Sequence, residues 1–470
     1  MQRFDTPLEQ ATTPSLEALQ AYSRGMKTWE GKGDFEAIPF FRRAIELDSN
    51  FALAYTVLGV TYANLGQDSL ASENLVKAFE LRGRVSERER YWVSVNYYSA
   101  ATGELEKANE TCELWAQSYP RDDVPVALLG ANYTVAGKWN RALPEILQSL
   151  RLEPNDAIVY SNLGQTYLAL NRLEEAQAAF DQAWARKLDY WGLHLWTYYL
   201  AFLRGDGGEM ERQVAWGVGK PGDEDRLLFA ESTTEAYYGR IRKAREFSRR
   251  AEESAQHAEA KETAATWRAY ATLTEAEFGN SEQIRQGTSA ALAMAPGRFV
   301  KVLVALALAR AGDAAQAESM SEELAKSNSS NSLLNYYWLT TIRAAIQLDR
   351  NDPGRAIELL QAAAPYELGY DATLQLGTMY PVFVRGQAYL DLNRSKEAAA
   401  EFQKFLDHRG VVVSYPLAAL ARLGLARSYV LQGDTAKART AYQDFLTLWK
   451  DADADIPVLI AAKAEFARLK

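Results

Sequence analysis

One backbone requirement recurs along this chain at fixed intervals. Gly103, Gly137, Asn171, Gly205 and Gly239 follow one another at a constant spacing of 34 residues. Glycine and asparagine enter the left-handed conformation most cheaply, and they mark positions where a helix stops and the chain reverses. Each is flanked on both sides by apolar residues at helical spacing, so each interval reads as two short amphipathic helices joined by a tight turn. The interval Ala157–Tyr190 shows why the residues take these places. Tyr160, Leu163 and Tyr167 fall on one face of the first helix, and Asn171 ends it. Gly164 and Ala176 are small because the two helices cross closely there, and a larger side chain would overpack the contact at a cost of about 1–3 kcal/mol. Phe180 fills the gap from the second helix.

The register extends in both directions through Gly66, Gly279, Gly312, Asn351, Asn393 and Gly433. Only the first unit departs from it, with Lys32 between Gly31 and Gly33. Gly59 and Gly130 repeat the place of Gly164. Ala71 and Ala142 repeat that of Ala176, five residues after the turn, where Met210 and Ile284 predict looser packing. The expected fold is all-α, a right-handed superhelical solenoid of about twelve antiparallel helix pairs. Residues 1–17 read as a linker, 18–452 as the solenoid and 453–470 as a C-terminal capping helix. Turn spacings of 33 to 42 after Gly239 predict longer helices or loops there, and the tract Ser327–Ser332 fits such a loop.

Composition narrows the function classes. With 52 basic and 61 acidic residues the net charge is −9, a poor balance for neutralising nucleic-acid phosphates. Cys112 is alone, and His194, His257 and His408 have no paired spacing, so neither a disulfide framework nor a metal site is expected. Cys112 occupies the slot that Phe180 fills, which predicts a buried, inert thiol. The N-terminal residues lack the apolar core of a signal peptide. The most apolar run, Val302–Ala309, is too short to span a bilayer. As written, the chain reads as cytoplasmic, without membrane insertion.

Candidate chemistry dissolves on inspection. Gly217-Val-Gly219-Lys-Pro-Gly222 matches a phosphate-loop spacing, but no strand precedes it and Pro221 stands where a hydroxyl is needed. His408-Arg409-Gly410 lacks the aspartate of a kinase catalytic loop. Glu174-Glu175 and Glu322-Glu323 read as solvated helix faces. No catalytic residue and no cofactor are expected, and the chain reads as non-enzymatic.

Two features remain. Arg242, Arg245 and Arg249 form a basic stripe on one helix. It reads either as a solvated face paired with Asp223, Glu224 and Asp225 or as a dock for an acidic or phosphorylated segment. The inner face of the expected superhelix collects Tyr22, Trp29, Tyr97, Tyr199, Phe202, Phe229, Phe299, Trp338, Tyr380 and Phe383. These rings either pack between neighbouring units or line a groove that anchors a protein or peptide segment. No unit carries the Lys and paired Asn of a carboxylate clamp.

The offsets of Tyr160, Leu163, Gly164, Tyr167, Ala176, Phe180 and Ala183 resemble the tetratricopeptide-repeat family. Longer stretches are similar to a narrower group: FDTPLEQATTPSLEALQAYSRG, AFELRGRVSERERYWVSVNYY, RQVAWGVGKPGDED, AIELLQAAAPYELG and AYQDFLTLWKDADADIPVL. They resemble the C-terminal repeat region of acidobacterial-type serine/threonine kinases. That resemblance implies a sensor or docking region, extracytoplasmic if the chain is a fragment of such a membrane-spanning kinase. Three expectations follow. The first is a protein-interaction scaffold of a bacterial signalling system. The second is the regulatory half of a kinase encoded upstream, and the third an envelope-assembly or secretion scaffold.

Overall fold

The computed structural model describes residues 13–371 and 376–469. Among them the chain is all-α: twelve helix pairs run from Leu16–Lys32 with Asp34–Leu47 to Pro416–Leu431 with Thr435–Leu448, and Pro457–Ala467 follows. The first helix begins at Leu16, where the Ser15 side chain accepts from the Ala18 amide at 3.1 Å. Most of the expected linker lies outside the described residues. Two compact units are distinguishable. Unit 1 holds the described residues up to Asn132 with 144–154 and 330–332, and unit 2 holds 133–143, 155–329 and 333–470.

The turn register is realised position by position. Gly66, Gly103, Gly137, Asn171, Gly205, Gly239, Gly279, Gly312, Asn351, Asn393 and Gly433 all have positive φ, between 55° and 83°. In the first unit Gly33 takes the turn, at φ 104°. The close crossings are equally regular. A Cβ on Gly164 would overlap the Phe180 ring, and one on Gly59 would sit 2.7 Å from Leu75. Ala71, Ala142 and Ala176 are buried, Ile284 is buried, and Met210 is half-buried. Neighbouring repeats are also tied by bidentate ion pairs about one repeat apart, among them Arg88–Asp122 in unit 1 and Arg310–Glu277 in unit 2.

The irregular spacings have two distinct causes. Between Gly239 and Gly279 the helices themselves lengthen, to 17 residues in Ile241–His257 and 18 in Lys261–Phe278. Between Asn351 and Asn393, and between Asn393 and Gly433, extra residues instead leave the helices. They include residues 367–371, 376–379 and 408–415, the last forming only the single helical turn Arg409–Val412.

Within unit 2 these and later segments run back onto earlier turns. The Trp139 indole donates to the Leu368 carbonyl at 3.0 Å, beside Gly137. Asn171 Nδ2 donates to the Asp407 carbonyl at 2.5 Å, and the Gly410 amide returns a bond to Asn171 Oδ1 at 3.2 Å. The Trp449 indole donates to the Tyr237 carbonyl at 2.9 Å, and the Asp453 amide to the Gly239 carbonyl at 3.0 Å. Among the described residues unit 1 has a similar latch, from the Ser332 amide to the Gly103 carbonyl at 2.9 Å. The Ser327–Ser332 tract therefore ends docked on a turn. A Cβ on Gly239 would lie 2.8 Å from Trp449, so glycine there provides both the backbone angle and the clearance.

These two roles of glycine separate experimentally. Gly164→Ala should destabilise unit 2 by about 1–3 kcal/mol through overlap with Phe180, partly recovered by Phe180→Leu. Gly205→Ala, at φ 74° with open space around it, should cost about 1 kcal/mol through the backbone alone, and Gly205→Asn less. Urea denaturation of the four variants measures both.

Candidate functional site

The ten inner-face rings divide by unit. In unit 2, Tyr199, Phe229, Phe299, Trp338, Tyr380 and Phe383 are all buried, none more than 7% exposed, while Phe202 is half-buried. In unit 1, Tyr22, Trp29 and Tyr97 are half-buried.

The expectation of an open aromatic groove is corrected for unit 2. Four of its rings belong to one continuous series of ring contacts. Trp267 stacks on Phe229 at 4.2 Å, and Phe229 meets Tyr270 edge-on at 4.6 Å. Tyr270 then meets Tyr415 at 5.6 Å, Tyr415 meets Tyr380 at 5.9 Å, and Tyr380 meets Trp338 at 6.5 Å. Trp338 closes on Phe299 at 5.6 Å. Separations of this size are those of aromatic packing in a core. The physical reason for the closure is Tyr415 and the residues before it. Val411, Val412, Val413, Ser414 and Tyr415 are each at most 4% exposed, and Ser414 Oγ lies 2.8 Å from the Thr233 hydroxyl. Tyr270 and Tyr415 were not legible as members of this series. Tyr415 lies among the residues that exceed the 34-residue interval, whose destination no periodicity fixes.

Unit 1 differs. Tyr22 packs against Phe41 and Phe51, with centroids 6.0 and 5.0 Å away. The Trp29 indole donates to Asp34 Oδ1 at 2.8 Å, and Tyr97 stacks on Phe79 at 3.9 Å. One side of each ring is held while part of each remains accessible.

The basic stripe is paired, with other partners than the sequence suggested. Arg242 Nη2 meets Asp455 Oδ2 at 2.9 Å, Arg245 grips Glu275 at 2.6 and 2.9 Å, and Arg249 meets Glu253 at 2.6 Å. Asp223, Glu224 and Asp225 serve elsewhere: Asp225 Oδ2 accepts from the Trp267 indole at 2.8 Å, and Glu224 from Ser254. Burial pushes the Asp225 carboxyl above its ordinary value, against the pull of Arg226 and the indole bond. Glycines 219 and 222 have positive φ, and the intervening Lys220 lays its Nζ 3.4 Å over the Trp216 ring. That segment is a turn closed by a cation–π contact. Cys112 is buried, and desolvation pushes its thiol up to about 12. Among the described residues no cluster of His, Cys, Asp or Glu has the arrangement of a metal site, and no helix is long and apolar enough to cross a membrane.

His194 is held between three side chains. Its ring stacks on Trp216 at 3.6 Å. Nδ1 lies 2.6 Å from Gln213 Oε1, and Nε2 lies 2.8 Å from Asp189 Oδ1. Gln213 donates its amide to Glu209, so its oxygen faces Nδ1 while the Asp189 carboxylate faces Nε2, and both ring nitrogens meet acceptors, an arrangement that favours the protonated ring. Burial lowers the pKa of His194, and the bonds to Asp189 and Gln213 oppose this without overcoming it.

Comparison with known proteins agrees with this architecture. Family models described as tetratricopeptide repeat match residues 145–178 and 383–453. Superkiller protein 3 of Schizosaccharomyces pombe is 27% identical over 179 residues, covering 37% of this chain and 13% of that protein. Among solved structures, TTC0263, a thermophilic TPR protein of Thermus thermophilus, is 23% identical, covers 36% of this chain and 91% of its own, and superposes with a TM-score of 0.31. PilW, a type IV pilus biogenesis factor, is 17% identical, with coverage of 43% and 93% and a TM-score of 0.32. Yeast Tom70 is 14% identical, with coverage of 96% and 95% and a TM-score of 0.29. The chain contains tetratricopeptide repeats.

Two outcomes test this packing. Phe229→Ala and Trp338→Ala should each destabilise unit 2 by about 3–5 kcal/mol, as buried rings do, measured by urea unfolding. Because the folded pKa of His194 is depressed, its contribution is fully present above about pH 6.5 and is lost as pH falls through the folded value. The urea midpoint should therefore drop below about pH 6.5, and His194→Gln should flatten that drop.

Proposed function

We propose that this tetratricopeptide-repeat chain is a non-catalytic protein-interaction scaffold, the binding or sensor arm of a bacterial signalling system. We place its partner surface on unit 1. The observation that carries the placement is the contrast between the units. Six of the seven inner-face rings of unit 2 are buried by the chain itself, Phe202 being the exception, whereas Tyr22, Trp29 and Tyr97 of unit 1 all stay half-buried. Rings that are fixed on one side and accessible on the other bind a partner segment at low entropic cost, because little freedom remains to be lost. The expected partner is an extended or helical peptide segment with apolar anchors.

A second reading rests on the five stretches similar to the repeat region of acidobacterial-type kinases. In it the chain is the regulatory half of a membrane serine/threonine kinase, with the same surface sensing a ligand outside the cytoplasm. A reading frame continuing upstream of Met1 into a kinase domain supports it; an in-frame stop codon there removes it.

A displayed peptide library screened against the full chain should yield ligands. Trp29→Leu with Tyr97→Leu, which keeps apolar volume, should weaken the best ligand by at least about tenfold with the unfolding midpoint nearly unchanged. Undiminished binding by this variant overturns the placement on unit 1.

A further inference from the structure

Beside the packed rings of unit 2 a hollow stays partly open. Tyr337, Trp338, Tyr370, Asp371 and Thr378 line it, and its enclosed part has room for about one water-sized group. Three local features build this place. First, Leu334–Trp338 is π-helical, the Leu339 amide bonding the Leu334 carbonyl five residues back. Such turns carry an extra residue and recur at functional sites. Here Tyr336 is 49% exposed, while the next two residues, Tyr337 and Trp338, are buried. Second, Met379 is buried at φ 51°, a conformation that persists only where surrounding contacts impose it. The chain around it brings Thr378 Oγ1 within 2.6 Å of Tyr337 Oη, which also accepts from the Tyr380 amide at 3.1 Å. Third, Gly369 forms a wall where a Cβ would lie 2.8 and 2.9 Å from the Tyr366 and Val135 carbonyl oxygens.

The lining selects by charge. It presents three aromatic rings and one carboxylate, with no lysine, arginine or histidine. Aromatic rings attract cations through the negative charge of their faces, and a carboxylate adds to that attraction. Burial holds the Tyr337 and Tyr370 hydroxyls protonated, and the Asp371 charge acts on both in the same sense. Arg226 opposes Asp371 at Tyr370, but its guanidinium lies over the Trp191 ring at 4.1 Å, with Asp223 at 3.9 Å. Whichever of the Tyr337 and Thr378 hydroxyls donates to the other, Thr378 Oγ1 keeps a lone pair. An ammonium group meets each of these conditions. It is close to water in size, donates to hydroxyl and carboxylate oxygens, and is drawn to the rings.

We propose that this hollow receives a primary ammonium group, carried by a small amine or by the tip of a lysine side chain on a bound segment. The site lies in unit 2 and is independent of the partner surface placed on unit 1.

The test uses the full chain and methylammonium chloride, followed by saturation-transfer NMR. Methylammonium should bind saturably, and tetramethylammonium, too large for the enclosed part, should not displace it. Asp371→Asn removes the charge and keeps the shape, and should weaken methylammonium at least about tenfold. Tyr370→Leu should weaken it about fivefold, while Tyr370→Phe keeps the parent affinity. A urea midpoint close to the parent's shows that each variant is folded. A short peptide with one central lysine, and the same peptide acetylated on that lysine, distinguish the sources. Competition by the unmodified peptide alone assigns the site to a lysine side chain, and competition by neither assigns it to a small amine. The proposal is overturned by an absence of saturable methylammonium binding, by displacement with tetramethylammonium, or by equal competition from both peptides. Undiminished binding by Asp371→Asn and Tyr370→Leu overturns it as well. Should Asp371→Asn fail to fold, the contrast between Tyr370→Leu and Tyr370→Phe decides.

Discussion

Everything in this chain hangs on a backbone angle. At eleven places the helix must stop in a left-handed residue, so that a second helix folds back along the first. That reversal brings Gly164 against Phe180 and Gly59 against Leu75, which fixes the crossing distance within a pair. Once pairs have a common geometry, they stack, and the ion pairs between neighbours follow from the stacking. Eight of the eleven positions are glycine and three are asparagine, and among the latter Asn171 does more than turn the chain. Its side chain holds the segment around Gly410, which glycine could not do.

The turns also explain how far the sequence could be read. Helix pairs, turn residues and small crossing residues obey a short period, and periodicity is visible in a string of letters. Burial of Cys112 followed from its slot, and the loop character of the segment around Lys220 from the absence of a strand. The inner face did not yield in the same way. Its rings fall at regular offsets whether they face solvent, a partner or the chain itself. What decides between these is the path of residues 408–415, which belongs to no period. Phe229 and Trp338 therefore read as groove and are core. Trp29 and Tyr97, at equivalent positions, stay half-buried. The basic stripe shows the same limit. That Arg242, Arg245 and Arg249 are paired follows from the charge balance, and Glu253 is the helical i+4 neighbour of Arg249, but Asp455 and Glu275 are set by three-dimensional neighbours rather than by proximity in sequence.

Polar groups in unit 2 are arranged to hold the closed state. Arg385 binds both Glu367 and Glu401, and Lys404 reinforces the two carboxylates. Burial pushes Glu367 upward, but the charges and hydrogen bonds of Arg385 and Lys404 outweigh it and leave the carboxyl below its usual range. Glu367 stands where the chain leaves its helix, so the network anchors the departing segment at its root. A buried network of this kind contributes little net stability but penalises every arrangement that leaves one of its charges alone.

The latches between late segments and early turns change what kind of repeat protein this is. A stack held only by nearest neighbours can gain or lose a repeat, because each interface is the same as the next. Unit 2 has bonds that join Trp139 to Leu368, Asn171 to Asp407 and Gly239 to Asp453, and each depends on the number of repeats lying between its ends. Inserting or deleting one pair between Gly239 and Leu368, the stretch all three span, would put every one of these latches out of register at once. In unit 2 the count of repeats is therefore part of the structure, as fixed as the identity of a core residue, and a change of length is tolerated only outside the latched intervals.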